Sequence, residues 1–178
     1  MLRTHTCGEL TRDQEQQEVT LCGWNHSRRD HGGIIFIDLR DRYGITQIVF
    51  DPHHNLETHT KAEKLKREDC IKVTGKVRYR GAGLENKNLS TGNIEVIIDE
   101  LNLLNSAETP PLEIDDRKEA SEEMRLKYRY LDLRRPVMQK HIMVRHQVMK
   151  ACRELLDSLG FIEIETPMLV RSTPEGAR

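Results

Sequence analysis

The sequence predicts a mainly β domain, a small closed barrel, followed by the beginning of an α/β domain. In the first 105 residues, apolar and polar side chains alternate with a period of two over several segments, as in half-buried strands. Glycine and polar residues separate these segments and are typical of turns. Beyond a Pro-Pro linker, apolar residues recur at three- and four-residue intervals, which indicates a helix.

The first three strands are expected as a meander between Glu18 and Phe50. Val19 and Leu21 alternate with polar residues toward Trp24, and later apolar runs resume after Gly-containing turns. The predicted segments are, in chain order, a strand at 18–24, a turn at 28–33, a strand at 34–39, a turn at 43–44 and a strand at 45–50.

A helix and two further strands complete the predicted barrel. Residues 55–68 lack Gly and Pro and are rich in Lys, Glu, Leu and Ala, so one short helix is expected over a barrel end. Strands are predicted at 70–80 and 93–104, on either side of a Gly-rich, polar loop. Three strands, a helix and two strands is the order of an OB-fold, a five-stranded Greek-key barrel whose face binds oligonucleotides.

The character of the sequence changes after Leu104. Pro110 and Pro111 block both helix continuation and strand pairing, and the following acidic stretch, 113–123, is expected to be solvated. The stretch 125–135 reverses the charge, with five basic residues. We therefore divide the chain into a barrel domain at 1–105, a linker or hinge segment at 106–136 and the start of a second domain at 137–178.

A helix from Val137 and a strand at 161–167 are predicted to open this second domain. Val144, Val148 and Leu155 share one helical stripe, and Gly160 is expected to cap the helix. Apolar and acidic residues then alternate up to Pro167, as in a half-buried strand. One helix and one strand cannot close a core of their own, so the second domain is expected to be truncated.

Composition restricts the classes of protein. The chain has 28 Lys and Arg against 29 Asp and Glu, so any nucleic acid must be attracted by local basic patches rather than by net charge. It contains neither an apolar run of about 20 residues nor a signal-peptide core, and we expect a cytoplasmic protein without a membrane segment. The four cysteines and eight histidines lack ligand spacing, so we expect reduced thiols and no metal site.

Four stretches together resemble bacterial-type aspartyl-tRNA synthetases, which are class II aminoacyl-tRNA synthetases. The four stretches are RRDHGG running into FIDLRD (28–41), RLKYRYLDLRRP (125–136), GFIEIETP (160–167) and STPEGAR (172–178). The resemblance implies an OB-fold that holds the tRNA anticodon, followed by the helix and strand of motif 1, which form a homodimer interface that includes Pro167. Lysyl- and asparaginyl-tRNA synthetases share this layout, while the last stretch favours aspartate.

Five residues match the anticodon contacts of the family: Phe36, Gln47, Arg29, Arg78 and Glu95. Phe36 lies opposite to the apolar face of its strand, where a nucleobase can stack on its ring. The alternative is that Phe36 packs against a neighbouring loop on the barrel exterior. Gln47 carries both a donor and an acceptor, which match a uracil edge, and Arg29 can give paired donors to a base or a phosphate. A lone surface arginine or glutamate would otherwise be merely solvated.

Three further residues have roles that only the resemblance implies. The residues that match His31 and Gly83 vary in the family with the ability to charge tRNA-Asn as well as tRNA-Asp, and the pair found here resembles the non-discriminating kind. The alternative is that both are ordinary turn residues. Glu175 matches a loop that closes over the bound aspartate, where a carboxylate would orient the ammonium group of the substrate.

The reaction that the resemblance implies is ATP-dependent aspartate–tRNA ligation. Aspartate attacks the α-phosphate of ATP, and the aspartyl group then passes to the terminal ribose of tRNA-Asp and, in the non-discriminating kind, of tRNA-Asn. ATP and Mg²⁺ would be held by motifs 2 and 3, which lie beyond Arg178, so we expect no catalytic residue here and no activity of this chain alone. Two alternatives stay open: a free-standing OB module that binds tRNA or single strands, and a structural oligomerisation protein.

Overall fold

The computed structural model describes residues 2–117 and 120–169. The chain divides into two compact units, Met1–Pro110 and Pro111–Arg178. The first unit contains five strands and a short α-helix, and the second contains three α-helices in its described part.

The first unit is a closed five-stranded barrel. Its elements are β1 (Glu18–His31), β2 (Ile34–Arg40), β3 (Ile45–Phe50), α1 (Leu56–Glu63), β4 (Cys70–Tyr79) and β5 (Ile94–Asn105), with a 3-10 turn at Arg12–Gln14. The strands follow the order β1-β2-β3-β5-β4, in which only the β3–β5 pair is parallel. This order confirms the predicted OB-fold.

Strand β1 closes the barrel because it belongs to two ladders. Its first half pairs with β4 and its second half pairs with β2. The register shifts between Asn25 and Ser27, and such a bulge increases the local bend and twist that one strand needs to serve both partners. In the β4–β5 ladder, Gly75 permits a close approach of the two strands, since a Cβ atom there would lie 2.0 Å from the carbonyl oxygen of Ile97.

The barrel core is formed by the inward side chains of all five strands. Every second residue of β2 is buried, which is the alternation that the sequence predicted. The fully buried members with the largest side chains include Phe50, Leu21, Ile35, Ile37, Leu39, Ile48, Ile71, Ile94 and Ile98. Burial of each such side chain contributes roughly 1.5–3 kcal/mol, so the barrel has a core of its own.

Two boundaries in the barrel differ from the sequence prediction. The turn expected over 28–33 contains only Gly32 and Gly33, because β1 continues to His31. Both glycines have positive φ, +63° and +83°, as a tight two-residue hairpin turn requires. The helix expected over 55–68 ends at Glu63, because the chain must then turn back into β4.

The second unit begins with two short helices that the sequence analysis did not predict. They are α2 (Glu122–Lys127) and α3 (Arg129–Asp132), and the long helix α4 (Pro136–Ser158) follows. The segment 106–136 is therefore partly folded. Asp132 is fully buried and accepts hydrogen bonds from Arg125, Arg129 and Arg135. Asp115, expected to be solvated, is buried as well.

Helix α4 confirms the predicted long helix. It begins with Pro136, whose missing N–H costs nothing in the first turn. At its end, the N–H groups of Gly160 and Phe161 donate to the carbonyls of Asp157 and Leu156, with Gly160 at a φ of +82°. This is a Schellman cap, as expected for a glycine at this position.

The segment after α4 is described as far as residue 169. The stretch 161–167 was predicted as a strand, but in the described part of the chain it pairs with no other strand. A strand is stabilised by a ladder partner, and none of the described segments supplies one. Pro167 is exposed, and Glu175 lies outside the described residues. Among the residues the model describes, no helix is long and apolar enough to cross a membrane.

Candidate nucleic-acid interface

The outward face of β1, β2 and β3 carries three of the residues that the sequence analysis selected, Arg29, Phe36 and Gln47. Because Ile35, Ile37 and Leu39 point into the core, Phe36 and Asp38 point outward. Phe36 stands opposite Arg29 in one ladder and opposite Val49 in the other. The Phe36 side chain is half-buried, so it does not belong to the barrel core.

Strand pairing brings Gln47, Glu95 and Arg78 onto the same face. Gln47 lies opposite Asp38, and Glu95 lies opposite Arg78 in the β4–β5 ladder. Glu95 and Gln47 are connected directly, since the Gln47 amide nitrogen donates to Glu95 Oε2 at 3.0 Å. All five predicted anticodon contacts therefore lie on one outward face.

Hydrogen bonds join four of these five residues in one chain. Arg29 Nη2 donates to Asp38 Oδ1 at 3.0 Å and to the Gln47 carbonyl oxygen at 3.2 Å. At the other end, Arg78 Nε donates to Glu95 Oε1 at 3.0 Å. The hydrogen bonds connect these residues in the order Asp38, Arg29, Gln47, Glu95 and Arg78.

The chain of hydrogen bonds fixes the orientation of the Gln47 amide. Its oxygen faces the guanidinium of Arg29 and its nitrogen faces the carboxylate of Glu95. Gln47 is 7% exposed, so its amide is held nearly buried between two charged groups. The amide oxygen has a second lone pair and the amide nitrogen a second hydrogen, and these remaining sites form a donor–acceptor pair of fixed order.

Arg80 is a member of this site that the sequence analysis missed. Its Nε donates to the Ile94 carbonyl at 2.9 Å, but its Nη2 is buried and has no hydrogen-bond partner within the described chain. Burial lowers the pKa of Arg80 from its ordinary value, against the opposing charges of Glu95 and Asp38. A buried guanidinium N–H without an acceptor is costly, and a phosphate or base oxygen would remove that cost.

Asp38 is the second missed residue. Its carboxylate accepts a hydrogen bond from Ser27 Oγ at 2.5 Å and one from Arg29, so it orients the Arg29 side chain. The sequence contained a usable signal in both cases, because Asp38 is two residues from Phe36 and Arg80 two residues from Arg78. Residues two apart on a strand share a face.

The local charge of this face favours an anionic ligand, although the net charge of the whole chain is −1. Three guanidinium groups, of Arg29, Arg78 and Arg80, face two carboxylates, of Asp38 and Glu95. The side chains of Arg29 and Arg78 are 53% and 52% exposed, so both remain accessible while they hold their acidic partners. A face with excess positive charge and an aromatic ring is typical of single-strand binding.

His31 lies beside the β1–β2 turn, and Gly83 lies between β4 and β5. His31 is the last residue of β1, opposite Ile34, and is exposed on the outward side. Gly83 lies in the β4–β5 loop with a φ of +85°, and its N–H donates to Glu85 Oε2 at 2.9 Å. No hydrogen bond links these two residues within the described chain.

A second polar cluster lies near the other end of β2. Arg40 forms a double ion pair with Glu68, at 2.7 and 2.9 Å, and its Nη1 lies 2.8 Å from His26 Nδ1. Burial, together with the charge of Arg40, lowers the pKa of His26 below its ordinary value. A guanidinium group only donates, so His26 Nδ1 accepts from Arg40. This cluster ties β1 and β2 to the segment before β4.

Comparisons with known families find two matches, in different parts of the chain. Residues 19–104 match the OB-fold nucleic acid binding domain, and residues 121–178 match the class II tRNA synthetases of the D, K and N group. The chain thus combines a barrel that matches a nucleic-acid-binding domain with a segment that matches part of a class II tRNA synthetase domain.

Two similar proteins are aspartate–tRNA(Asp/Asn) ligases. That of Desulfosudis oleivorans is 53% identical over 178 residues, which are 100% of this chain and 30% of the relative. That of Oleidesulfovibrio alaskensis is 52% identical over 176 residues, 99% of this chain and 29% of the relative. The chain therefore spans less than a third of the length of these ligases.

Solved synthetase structures share the fold. Asparaginyl-tRNA synthetase from Pyrococcus horikoshii, solved with asparaginyl-adenylate, superposes with a TM-score of 0.85 at 31% identity and covers 99% of this chain and 39% of that one. The aspartyl-tRNA synthetase of Entamoeba histolytica gives a TM-score of 0.81 at 22% identity over 94% of this chain and 40% of that one, which supports the fold alone.

Proposed function

We propose that this chain is the tRNA-recognising part of an aspartate–tRNA ligase and reads the anticodon of tRNA-Asp and tRNA-Asn. The observation that carries this proposal is the hydrogen-bonded chain from Arg29 through Gln47 and Glu95 to Arg78, on the same face as Phe36. It holds an amide edge and cationic groups beside an aromatic ring, before any ligand binds. Such preorganisation lowers the entropy cost of binding.

Each group has a separate task in this proposal. The Phe36 ring stacks on one unstacked base, which contributes roughly 1–3 kcal/mol. The free donor and acceptor of Gln47 bind the edge of a uracil, the middle base of both anticodons. The arginines bind phosphate or base oxygens, and Arg80 Nη2 gains the acceptor that it lacks among the described residues.

The ligase activity, with ATP and Mg²⁺, is proposed for the whole protein. ATP-dependent activation of the cognate amino acid is the general chemistry of class II synthetases, and Mg²⁺ ions neutralise phosphate charge. In the described ranges, no group of three or more His, Cys, Asp or Glu side chains is placed to hold a metal ion. The proposed contact with aspartate stays with Glu175, which lies outside the described residues.

A homodimer is also proposed for the whole protein. Helix α4 exposes a continuous apolar stripe, which includes Val144, Val148, Leu155 and Leu159. Val148 is 55% exposed and Leu159 is 63% exposed, and apolar patches of this kind mark interaction surfaces. Pro167 would lie in the same interface. A free-standing RNA-binding module would have no use for this stripe, which favours the synthetase over that alternative.

The experiment that tests RNA reading uses anticodon stem-loop hairpins and fluorescence anisotropy. The chain should bind the tRNA-Asp hairpin, and a hairpin whose middle anticodon base is changed from U to A should bind more weakly. Phe36→Ala should weaken binding of the cognate hairpin by about 1–3 kcal/mol. Phe36→Tyr keeps an aromatic face and should retain most of the affinity.

Tyr43→Ala is the matched control, since Tyr43 is an exposed aromatic residue in the β2–β3 turn. Equal affinity of wild type and Phe36→Ala, with the fold intact by circular dichroism, would contradict the stacking role. Equal affinity for the cognate and the middle-base hairpin would contradict anticodon reading itself.

A further inference from the structure

Helix α1 forms a hydrogen bond with the tip of the β1–β2 hairpin through a histidine. His59 is nearly buried, and its Nε2 lies 2.9 Å from the carbonyl oxygen of Gly33. A carbonyl oxygen only accepts, so Nε2 carries the proton and donates. The other ring nitrogen, Nδ1, lies 4.0 Å from Glu63 on the next turn of α1.

The residue that His59 holds is half of a two-glycine turn. Gly32 and Gly33 both adopt left-handed φ angles, and glycines lose more conformational freedom on ordering than any other residue. The N–H of Gly33 donates to Asp30 Oδ1 at 3.1 Å. Gly33 is thus fixed on both sides, by Asp30 at its N–H and by His59 at its carbonyl.

This turn sets the position of the outward residues on either side of it. The last four residues of β1, 28–31, are exposed, so the end of the hairpin is supported mainly by its own ladder. Arg29 and Phe36 form one pair of that ladder, and His31 and Ile34 form the pair next to the turn. A two-stranded ribbon is marginally stable without further contacts.

We propose that His59 is a positioning residue for RNA reading, which anchors the Gly32–Gly33 turn to α1 and so holds Arg29, His31 and Phe36 in their binding positions. This proposal rests on the proposed function of the face. His59 itself touches no RNA. Its effect is to lower the cost of ordering the hairpin tip when a nucleotide binds.

A purely structural role makes a different prediction. The same face of α1 already buries Thr58 and Ala62 against the barrel, so closure of the barrel end does not depend on the His59 hydrogen bond. If His59 only filled space, its loss would affect the stability of the whole barrel. If it positions the turn, its loss should act on the hairpin tip and on RNA affinity.

Two substitutions of His59 separate these roles. His59→Leu introduces an apolar side chain of similar size and removes the donor. His59→Gln can place an amide N–H where Nε2 lies. His53→Leu is the matched control, because His53 is an exposed histidine in the segment before α1. The readouts are affinity for the tRNA-Asp hairpin, hydrogen exchange of the Gly33 and Ile34 amides, and urea unfolding.

We expect His59→Leu to weaken hairpin binding about fivefold, which is the factor for one lost hydrogen bond of about 1 kcal/mol. Exchange of the Gly33 and Ile34 amides should accelerate, while exchange of the Ile37 and Leu39 amides stays slow. His59→Gln should restore both affinity and protection, and His53→Leu should behave as wild type.

Several outcomes would overturn the proposal. Unchanged affinity of His59→Leu would do so, as would a loss that His59→Gln fails to restore. Faster exchange throughout the barrel would also do so, because it would assign His59 to global stability. If the wild-type chain binds no hairpin, the proposed function fails, and the exchange of the Gly33 amide still reports whether His59 anchors the turn.

Discussion

At the scale of single residues, His31 and Gly83 differ in backbone conformation. His31 ends a strand and can be replaced by any side chain that a strand accepts. Gly83 has a φ of +85°, which strains every residue with a Cβ, although a Cβ there would meet no atom within 4 Å. Space is therefore free for a side chain at Gly83, but backbone conformation opposes one.

This difference sharpens the test of tRNA-Asn recognition. The anticodons of tRNA-Asp and tRNA-Asn differ in the third base, and a bulky or cationic side chain near that base can penalise one of them. His31→Leu and Gly83→Lys should each lower affinity for the tRNA-Asn hairpin relative to the tRNA-Asp hairpin, by about tenfold, or about 1.4 kcal/mol. The ratio of the two dissociation constants, measured by anisotropy, is the readout.

Gly83→Ala is the control for this substitution, because it introduces the same backbone strain without a charge. If Gly83→Ala and Gly83→Lys change the ratio equally, the lysine side chain has no part in discrimination. An unaltered ratio in both His31→Leu and Gly83→Lys would remove the proposed role of these positions.

Side-chain direction could be predicted from the sequence, but side-chain partners could not. Period-two alternation assigned Phe36 and Gln47 to the outward face, and the structure confirms both directions. The contacts of Gln47 with Arg29 and Glu95 depend on which strands are neighbours, and those residues lie 18 and 48 positions away along the chain. No local pattern contains that information. The unsatisfied Nη2 of Arg80 likewise appears only when burial is known.

At the scale of secondary structure, the elements with strong periodicity were predicted and the short helices were not. The five strands and α4 have apolar patterns that persist over several residues. Helices α2 and α3 contain six and four residues, too few to show a period of 3.6. Their stability comes from the buried Asp132, which binds arginines of α2, of α3 and of the residue before α4.

Asp132 should therefore make the second unit sensitive to acid. Burial by itself would raise the pKa of Asp132, but the hydrogen bonds and charges of Arg125, Arg135 and Arg129 outweigh burial and lower that pKa. Because the folded pKa is lowered, the stabilisation is complete above the ordinary value of 3.8 and is lost as the pH falls through the lower folded value.

Asp132→Asn should destabilise α2 and α3 by about 3 kcal/mol at neutral pH, since it leaves the buried Arg135 and its partly exposed neighbours Arg125 and Arg129 without the carboxylate that they share. Hydrogen exchange of the α2 and α3 amides measures this loss. The variant should also lack the change that acid causes in the wild type. Asp157→Asn, at an exposed aspartate of α4, is the control and should leave both properties unchanged. Equal protection in wild type and Asp132→Asn would contradict the role of this cluster.

At the scale of the whole molecule, the two units differ in how much apolar surface each one buries. The apolar core cluster lies entirely between Cys7 and Leu101, within the barrel. Helix α4 has no buried residue in the described structure. The sequence analysis inferred this contrast from composition and periodicity, and it placed the end of the barrel domain at residue 105. The compact first unit extends to Pro110.

The difference between residues 105 and 110 is itself testable. The N–H of Ala107 donates to Asp69 Oδ1 at 2.8 Å, and Asp69 Oδ2 accepts from the N–H of Lys66 at 2.7 Å. Ala107 thus helps to fix the carboxylate that accepts from Lys66 in the turn before β4. A chain that ends at residue 105 lacks Ala107, so Asp69 Oδ1 loses the hydrogen bond from the Ala107 N–H.

We expect residues 1–110 to unfold cooperatively in urea and to bind the tRNA-Asp hairpin as tightly as the whole chain, because every residue proposed for RNA reading lies in the first unit. Residues 1–105 should have the same fold but a free energy of unfolding lower by about 1 kcal/mol. Asp69→Asn in residues 1–110 should cause a similar loss, and the same substitution in residues 1–105 should cost less, because the Ala107 bond is already absent. Residues 111–178 alone should aggregate or remain poorly ordered, since the apolar stripe of α4 is exposed in the described part of the chain. Weaker hairpin binding by residues 1–110 than by the whole chain would show that RNA reading depends on the second unit, and would contradict a recognition site confined to the barrel.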